Sequence, residues 1–300
     1  MNLGVEFCGV KFKNPVFTAS GTFNSGKEYA DIVDLNQIGG VIVKGVASIP
    51  WKGNPAPRIA ETYGGMLNSV GLQNPGVDVF IKEDIPFLRQ YDTKIIVNLA
   101  GRTKQEYCDV VEKLSDADVD MLELNISCPN VKEGGVAFGV DPKMAALVTA
   151  EVKKVAKQPL IVKLSPNVTD ITEIAKAVEA AGADGFSLIN TLIGMHIDVH
   201  RRQPTLARKM GGFSGPAIKP VAVRMVYQVS KACQLPIIGL GGIMTGEDAI
   251  EFMMAGANAI AVGTANLLNP RATMDVLDGI TNYMKSYNLL DINEIVGIIE

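Results

Sequence analysis

Short runs dense in β-branched and apolar residues recur along the chain, separated by longer stretches of helical period. Eight such runs stand out. They are PVFTAS from Pro15, GVIVKG from Gly40, KIIVNLAG from Lys94, DMLELNIS from Asp120, PLIVKLSP from Pro159, GFSLINT from Gly185, LPIIGLGG from Leu235 and NAIAVGTA from Asn258. Apolar runs of this length, separated by helices, predict parallel strands buried on both faces. The helical pattern is clear in DITEIAKAVEAAGADG. There Ile171, Ile174, Ala175 and Val178 fall at i, i+3, i+4 and i+7, and Gly182 marks the stop. Eight buried strands alternating with helices predict an α/β fold, an eightfold (β/α) barrel of the TIM type. A doubly wound open sheet is the alternative. No linker, low-complexity tract or second core interrupts the pattern, so residues 1–300 are expected to form a single (β/α)8 domain.

The longest connections follow strands 2, 4 and 6, roughly 45–92, 129–158 and 192–234. In such a barrel every loop after a strand opens on the C-terminal face, where sites are built. Loops this long are more often functional than padding. The three insertions are therefore expected to wall one site.

Composition narrows the partner class. The 300 residues are 47% hydrophobic and 20% charged, with a formal net charge of −4. No basic run suggests nucleic acid or an anionic membrane, and no apolar run approaches a membrane span of roughly 18–20 residues. A small-molecule ligand is the expected partner. The start, MNLGVEFCGVKFKNP, does not read as a signal peptide. Cys8, Cys108, Cys128 and Cys233 are far apart and form no CxxC, so neither zinc nor an iron–sulfur cluster is expected here. Free thiols suit the cytoplasm.

Polar residues inside the apolar runs point to the ligand. Lys44, Asn98, Asn125, Lys163 and Asn190 all sit toward the same end of their strands. Unpaired buried polar groups cost roughly 1–3 kcal/mol each. Mutual pairing, with Glu123 as counter-ion for Lys163, would satisfy some of them. Five converging at one rim, two of them lysines, favour a polar ligand carrying negative charge. The pairs Gly241–Gly242 and Gly263–Thr264 end strands 7 and 8, where the loops of such barrels often bind phosphate. Gly215 precedes a helix whose N-terminus could contribute. GLGGIMTG does not match the dinucleotide fingerprint GxGxxG.

His196 and His200, the only histidines, lie among loop-like residues with no nearby HExxH glutamate, so a metal site is not expected. Acid–base chemistry near neutral pH then falls to Cys128. Pro129 ends the strand and projects the thiol at the rim between Asn125 and Asn130. A lone cysteine is ordinarily buried packing, and that reading is kept for Cys8, Cys108 and Cys233. At this level a flavin and a phosphosugar are not distinguished.

Longer motifs distinguish them. NISCPNV, NSVGLQNPG, VKLSPNVTDI, INT, SGPAIKP, GLGGI and AVGTANL resemble, in order, those of class 1 dihydroorotate dehydrogenases, from Asn14 to about Asn269. GGMLNSVGLQNPG and NVKEGGVAFG look more like the class 1B catalytic subunit than the fumarate-using class 1A. The resemblance implies FMN and the oxidation of dihydroorotate to orotate in pyrimidine biosynthesis. It implies that Cys128 takes the proton from C5 while hydride leaves C6 for flavin N5; class 2 members carry serine there. By motif match Asn68, Asn125, Asn130, Asn190 and Thr191 hold substrate, with the backbone of Ser69, Val70, Gly71 and Leu72 in the same loop. Lys44 and Gly45 match a segment touching flavin and substrate. Ser20, Asn98, Asn125, Lys163, Ile189 and Gly215 match FMN contacts, and Gly241, Gly242, Gly263 and Thr264 match the phosphate grip. An inward Lys163 would stabilise the anionic reduced flavin.

In class 1B a second subunit carries FAD and a [2Fe–2S] cluster and passes electrons to NAD⁺. The resemblance implies a catalytic homodimer with two such electron-transfer subunits. The alternative is the homodimeric, fumarate-linked class 1A enzyme. A barrel lyase without redox cofactor, or a binding barrel without catalysis, are rivals from further away. One departure stands out: Gly45-Val46-Ala47-Ser48 follows Lys44, where relatives more often have threonine-rich runs.

Overall fold

The computed structural model describes residues 1–127, 132–133 and 136–300. Eight parallel strands close into a barrel: β1 (Val16–Thr18), β2 (Gly40–Ile42), β3 (Lys94–Leu99), β4 (Met121–Asn125), β5 (Leu160–Lys163), β6 (Gly185–Leu188), β7 (Ile237–Leu240) and β8 (Ala259–Val262). Neighbours in the barrel are neighbours in sequence. The ring shuts where β8 pairs β1, Ile260 opposite Val16 and Val262 opposite Thr18. That pairing rules out the open sheet, and each predicted run supplies one strand.

Helices cover the outside: α1 (Lys104–Leu114), α2 (Pro142–Val155), α3 (Ile171–Ala180), α4 (Lys219–Ala232), α5 (Gly246–Met254) and α6 (Ala272–Ser286). In α3 the Asp170 carboxylate accepts from Thr172 N and caps the start. The predicted stripe Ile171, Ile174, Ala175 and Val178 is the buried one. Each large aliphatic in such a stripe contributes about 1.5–3 kcal/mol by leaving water. Gly182, at φ +95°, ends the segment in a conformation that suits glycine.

The N-terminal hairpin, Val5–Phe7 with Val10–Phe12, closes the floor of the barrel. Phe7 is fully buried, and the Phe12 and Phe17 rings meet at 4.6 Å. Cys8 Sγ donates to Asp184 O, just before β6, at 3.1 Å. At the other end, the insertions after β2 and β6 join in one four-stranded sheet. Its members, in order, are Leu192–Met195, Met210–Ser214, Gly65–Asn68 and Ile59–Thr62. Leu67, Ala60 and Leu206 pack beneath it as a small separate core. No helix among the described residues is long and apolar enough to cross a membrane.

Candidate active site

The C-terminal mouth of the barrel opens into a cavity of about 700 Å³, roofed by that sheet. Strand alternation supplies its floor. On β4, Leu122 and Leu124 pack outward while Glu123 and Asn125 turn inward, and β5 brings Lys163 opposite Asn125 in register. Asn98 on β3 stands opposite Glu123.

Glu123 is fully buried and lies at the centre of a polar layer. Its Oε1 accepts from Ser187 Oγ at 2.7 Å, its Oε2 accepts from Asn98 Nδ2, and Lys163 Nζ is 3.8 Å from Oε2. The pairing of Lys163 with Glu123 read from the sequence is therefore present. It leaves two groups over. Lys44 has no carboxylate partner among the described residues. Its pKa is held below the ordinary lysine value, first by burial and then by the nearby Lys163 charge. Asn98 Oδ1 is buried without a hydrogen-bond partner among the described residues. Two lysines against one carboxylate leave one positive charge in excess, and the orphan oxygen calls for a donor. Both suit an anionic ligand that also carries an N–H.

The far wall is built for backbone contact. Gly241 and Gly242 lie at φ +122° and +90°, and Gly263 follows β8. A Cβ on Gly242 would come within 2.8 Å of Lys219 N, so only glycine lets this turn pack against the start of α4. No backbone hydrogen bond among the described residues takes up the N–H groups of Gly241, Gly242, Gly263 or Thr264. This is a cradle of the kind that holds phosphate. The orphan acceptor, the uncompensated lysine and the glycine cradle together fit FMN.

Ser20, Lys44, Gly45, Asn68, Ser69, Val70, Gly71, Leu72, Asn98, Asn125, Lys163, Ile189, Asn190, Thr191, Gly241, Gly242, Gly263 and Thr264 all line this one cavity. Gly215 does not. Its Cα packs on Gly65, where a Cβ would come within 2.6 Å, and the neighbouring Ser214 faces the cavity and accepts from Thr264 Oγ1 at 2.8 Å. Cys128 and Asn130 lie outside the described residues. The remaining thiols stay packing groups: burial pushes Cys8 up to about 12 and Cys233 up to about 11, and raises Cys108. His196 and His200 flank the short strand Ile197–Asp198 rather than sharing a helix face, and His196 Nδ1 meets Thr205 Oγ1 at 2.6 Å.

Sequence reasoning missed the residues that hold the substrate-loop candidates in place. Asn54 Nδ2 donates to Ser69 O and Oγ, both at 3.1 Å, and Asn54 N to Val70 O at 3.0 Å. Asn74 Nδ2 donates to Leu72 O at 2.8 Å, while its Oδ1 accepts from Ala47 N and Gly76 N. Asn167 Nδ2 donates to Thr191 O at 3.0 Å. The unusual Val46-Ala47 step has a plain role here. Val46 bridges to Leu99, and Ala47 is fully buried against Trp51 and Ala100.

A family model described as dihydroorotate dehydrogenase matches residues 2–284. The chain belongs to the dihydroorotate dehydrogenase family. Its relatives include the dihydroorotate dehydrogenase B (NAD(+)) catalytic subunit of Alkaliphilus metalliredigens, 72% identical over 99% of this chain and 98% of that one. The protein of the same name from Lachnoclostridium phytofermentans is 63% identical over 100% of both chains. A crystal structure of DHODH in complex with ferulenol from Eimeria tenella shares the fold, with a TM-score of 0.84 at 22% identity. It covers 99% of this chain and 88% of that one.

Proposed function

We propose that this chain is the catalytic subunit of an NAD⁺-linked dihydroorotate dehydrogenase. It oxidises dihydroorotate to orotate for pyrimidine biosynthesis in the cytoplasm, with residues 1–300 acting as one catalytic domain. The observation that carries this reading is the cavity itself, with its uncompensated lysine, buried orphan acceptor and glycine cradle in one pocket. The names of relatives at 54–72% identity support the NAD⁺-linked form over the fumarate-linked one.

Bound FMN would supply a two-electron acceptor for hydride. Gly241, Gly242, Gly263 and Thr264 would hold its phosphate through backbone N–H groups. Lys44 and Lys163 would face the negative charge of ligand and reduced cofactor. Asn68, Asn125 and Asn190 would orient a planar, hydrogen-bonding ring. Asn190 Nδ2 already donates to Asn125 Oδ1 at 3.3 Å, and Asn190 Oδ1 accepts from Thr191 N at 2.8 Å, so neither amide is free to turn. Cys128, three residues past the end of β4, is the base that removes the proton. Among the described residues no four cysteines gather into a cluster site. An FAD and [2Fe–2S] pair would belong to a partner subunit, as in the class 1B enzymes the sequence resembles, two of them on a catalytic homodimer.

Lys44 gives a pH signature. Only the protonated ammonium attracts an anion, and the folded protein lowers its pKa. Orotate affinity is thus full below that depressed value and falls roughly tenfold per pH unit above it, starting before an ordinary lysine would titrate. Binding titrations across alkaline pH check this. Lys44→Met should bind orotate weakly with a flat profile, and an unchanged alkaline limb in that variant would assign it elsewhere.

The reading as a whole is tested by the acceptor. With its partner subunit, the chain should form orotate at the expense of NAD⁺. Rapid turnover with fumarate by the chain alone would favour the class 1A alternative.

A further inference from the structure

Glu123 is assigned no part in the chemistry above, yet it touches two of its residues. It is fully buried below the cavity and is not part of the wall. A carboxylate has no hydrogen to give, so Asn98 can meet it only with its NH₂ group. That choice fixes the amide. Asn98 Oδ1 is turned away toward Gly45, where a Cβ would meet it at 3.0 Å, and both residues line the cavity. Asn98 is 1% exposed and this oxygen has no partner among the described residues. Glu123 also decides the charge. Without it, Lys44 and Lys163 would present two positive charges to the ligand instead of one in excess. Stability alone does not account for the group, because a buried ion pair is often no better than a well-packed apolar pair.

We propose that Glu123 is a positioning residue of the flavin site: it locks Asn98 with its oxygen toward the bound group, and it sets the flavin's reduction potential by offsetting the charge of Lys163. This rests on the reading of the cavity as an FMN site and deepens it. Ser187, whose Oγ holds the other carboxylate oxygen, tempers the same charge from outside the cavity wall.

The test is the midpoint potential of FMN bound to the full chain, measured by spectroelectrochemical titration. Glu123→Gln removes the negative charge. The protein should then hold reduced flavin over oxidised flavin about tenfold more strongly than the wild type, ~30 mV upward for two electrons. Ser187→Ala leaves the carboxylate less tempered and should move the potential the other way by a smaller factor. It is a small change on a strand, and it decides the matter if Glu123→Gln fails to fold or load flavin. A wild-type potential in the loaded Glu123→Gln protein, or a shift of Ser187→Ala in the same direction as Glu123→Gln, overturns the proposal alone. A wild-type chain that takes up no flavin overturns the parent reading and this one with it.

Discussion

Cys128→Ala should lower turnover by about 10²–10⁴-fold, the range that a positioned general base contributes, while FMN and orotate still bind. The expectation rests on chemistry that the other thiols, the histidines and the wall amides do not supply. Cys8 and Cys233 are pushed up to about 12 and about 11, so neither thiol holds usable thiolate at neutral pH. Both histidines belong to the strand-and-turn segment around Ile197–Asp198 and are absent from the cavity wall. The amides of the wall can hold a ring but cannot take a proton at this pH. Steady-state rates, an orotate titration and the flavin spectrum of the variant check the prediction together. Full activity in the alanine protein would make Cys128 a packing residue.

Lys163→Ala should cost in two ways at once. It strips the buried Glu123 carboxylate of its cationic partner. Breaking a buried pair from one side commonly costs about 3–5 kcal/mol, and here the donors Asn98 and Ser187 soften the loss. Thermal unfolding should report a clear drop. The same change removes a fixed cation from beside the developing negative charge, which should slow flavin reduction by about 10²–10³-fold. It should also weaken the hold on reduced flavin, opposite in sign to the effect of Glu123→Gln. Stopped-flow reduction by dihydroorotate separates this from simple instability. A destabilised protein that still reduces its flavin at the wild-type rate would leave Lys163 as a structural ion only.

The barrel was legible because its strands are apolar throughout and its helices carry a clean stripe, as in Ile171 to Val178. Both signals are local. The pocket floor was legible for the same reason: Lys44, Asn98, Asn125 and Lys163 are polar intrusions in apolar runs, and register alone brings them to one rim. The roof was not. Asn54 and Ser69 are 15 residues apart, and nothing periodic links them; their contact exists only once the hairpin Ile59–Thr62 with Gly65–Asn68 forms. Asn74 and Asn167 were invisible for a related reason, since an asparagine beside a proline reads as an ordinary turn former whatever it later holds. Gly215 was singled out by its motif; what the motif did not reveal is that its φ of +109° serves a close approach to Gly65, beside Ser214 in the cavity wall. Glu123 was recognised as a counter-ion, but its grip on the Asn98 amide depends on a cross-strand neighbour that sequence order does not reveal.

The most direct test of the central claim is anaerobic addition of dihydroorotate to the purified, FMN-loaded chain while its visible flavin absorbance is followed. The site described here predicts that the absorbance bleaches with one orotate formed per flavin, and that it returns when an electron acceptor is supplied. A chain that carries FMN in this cavity yet keeps its full absorbance with excess dihydroorotate would contradict it.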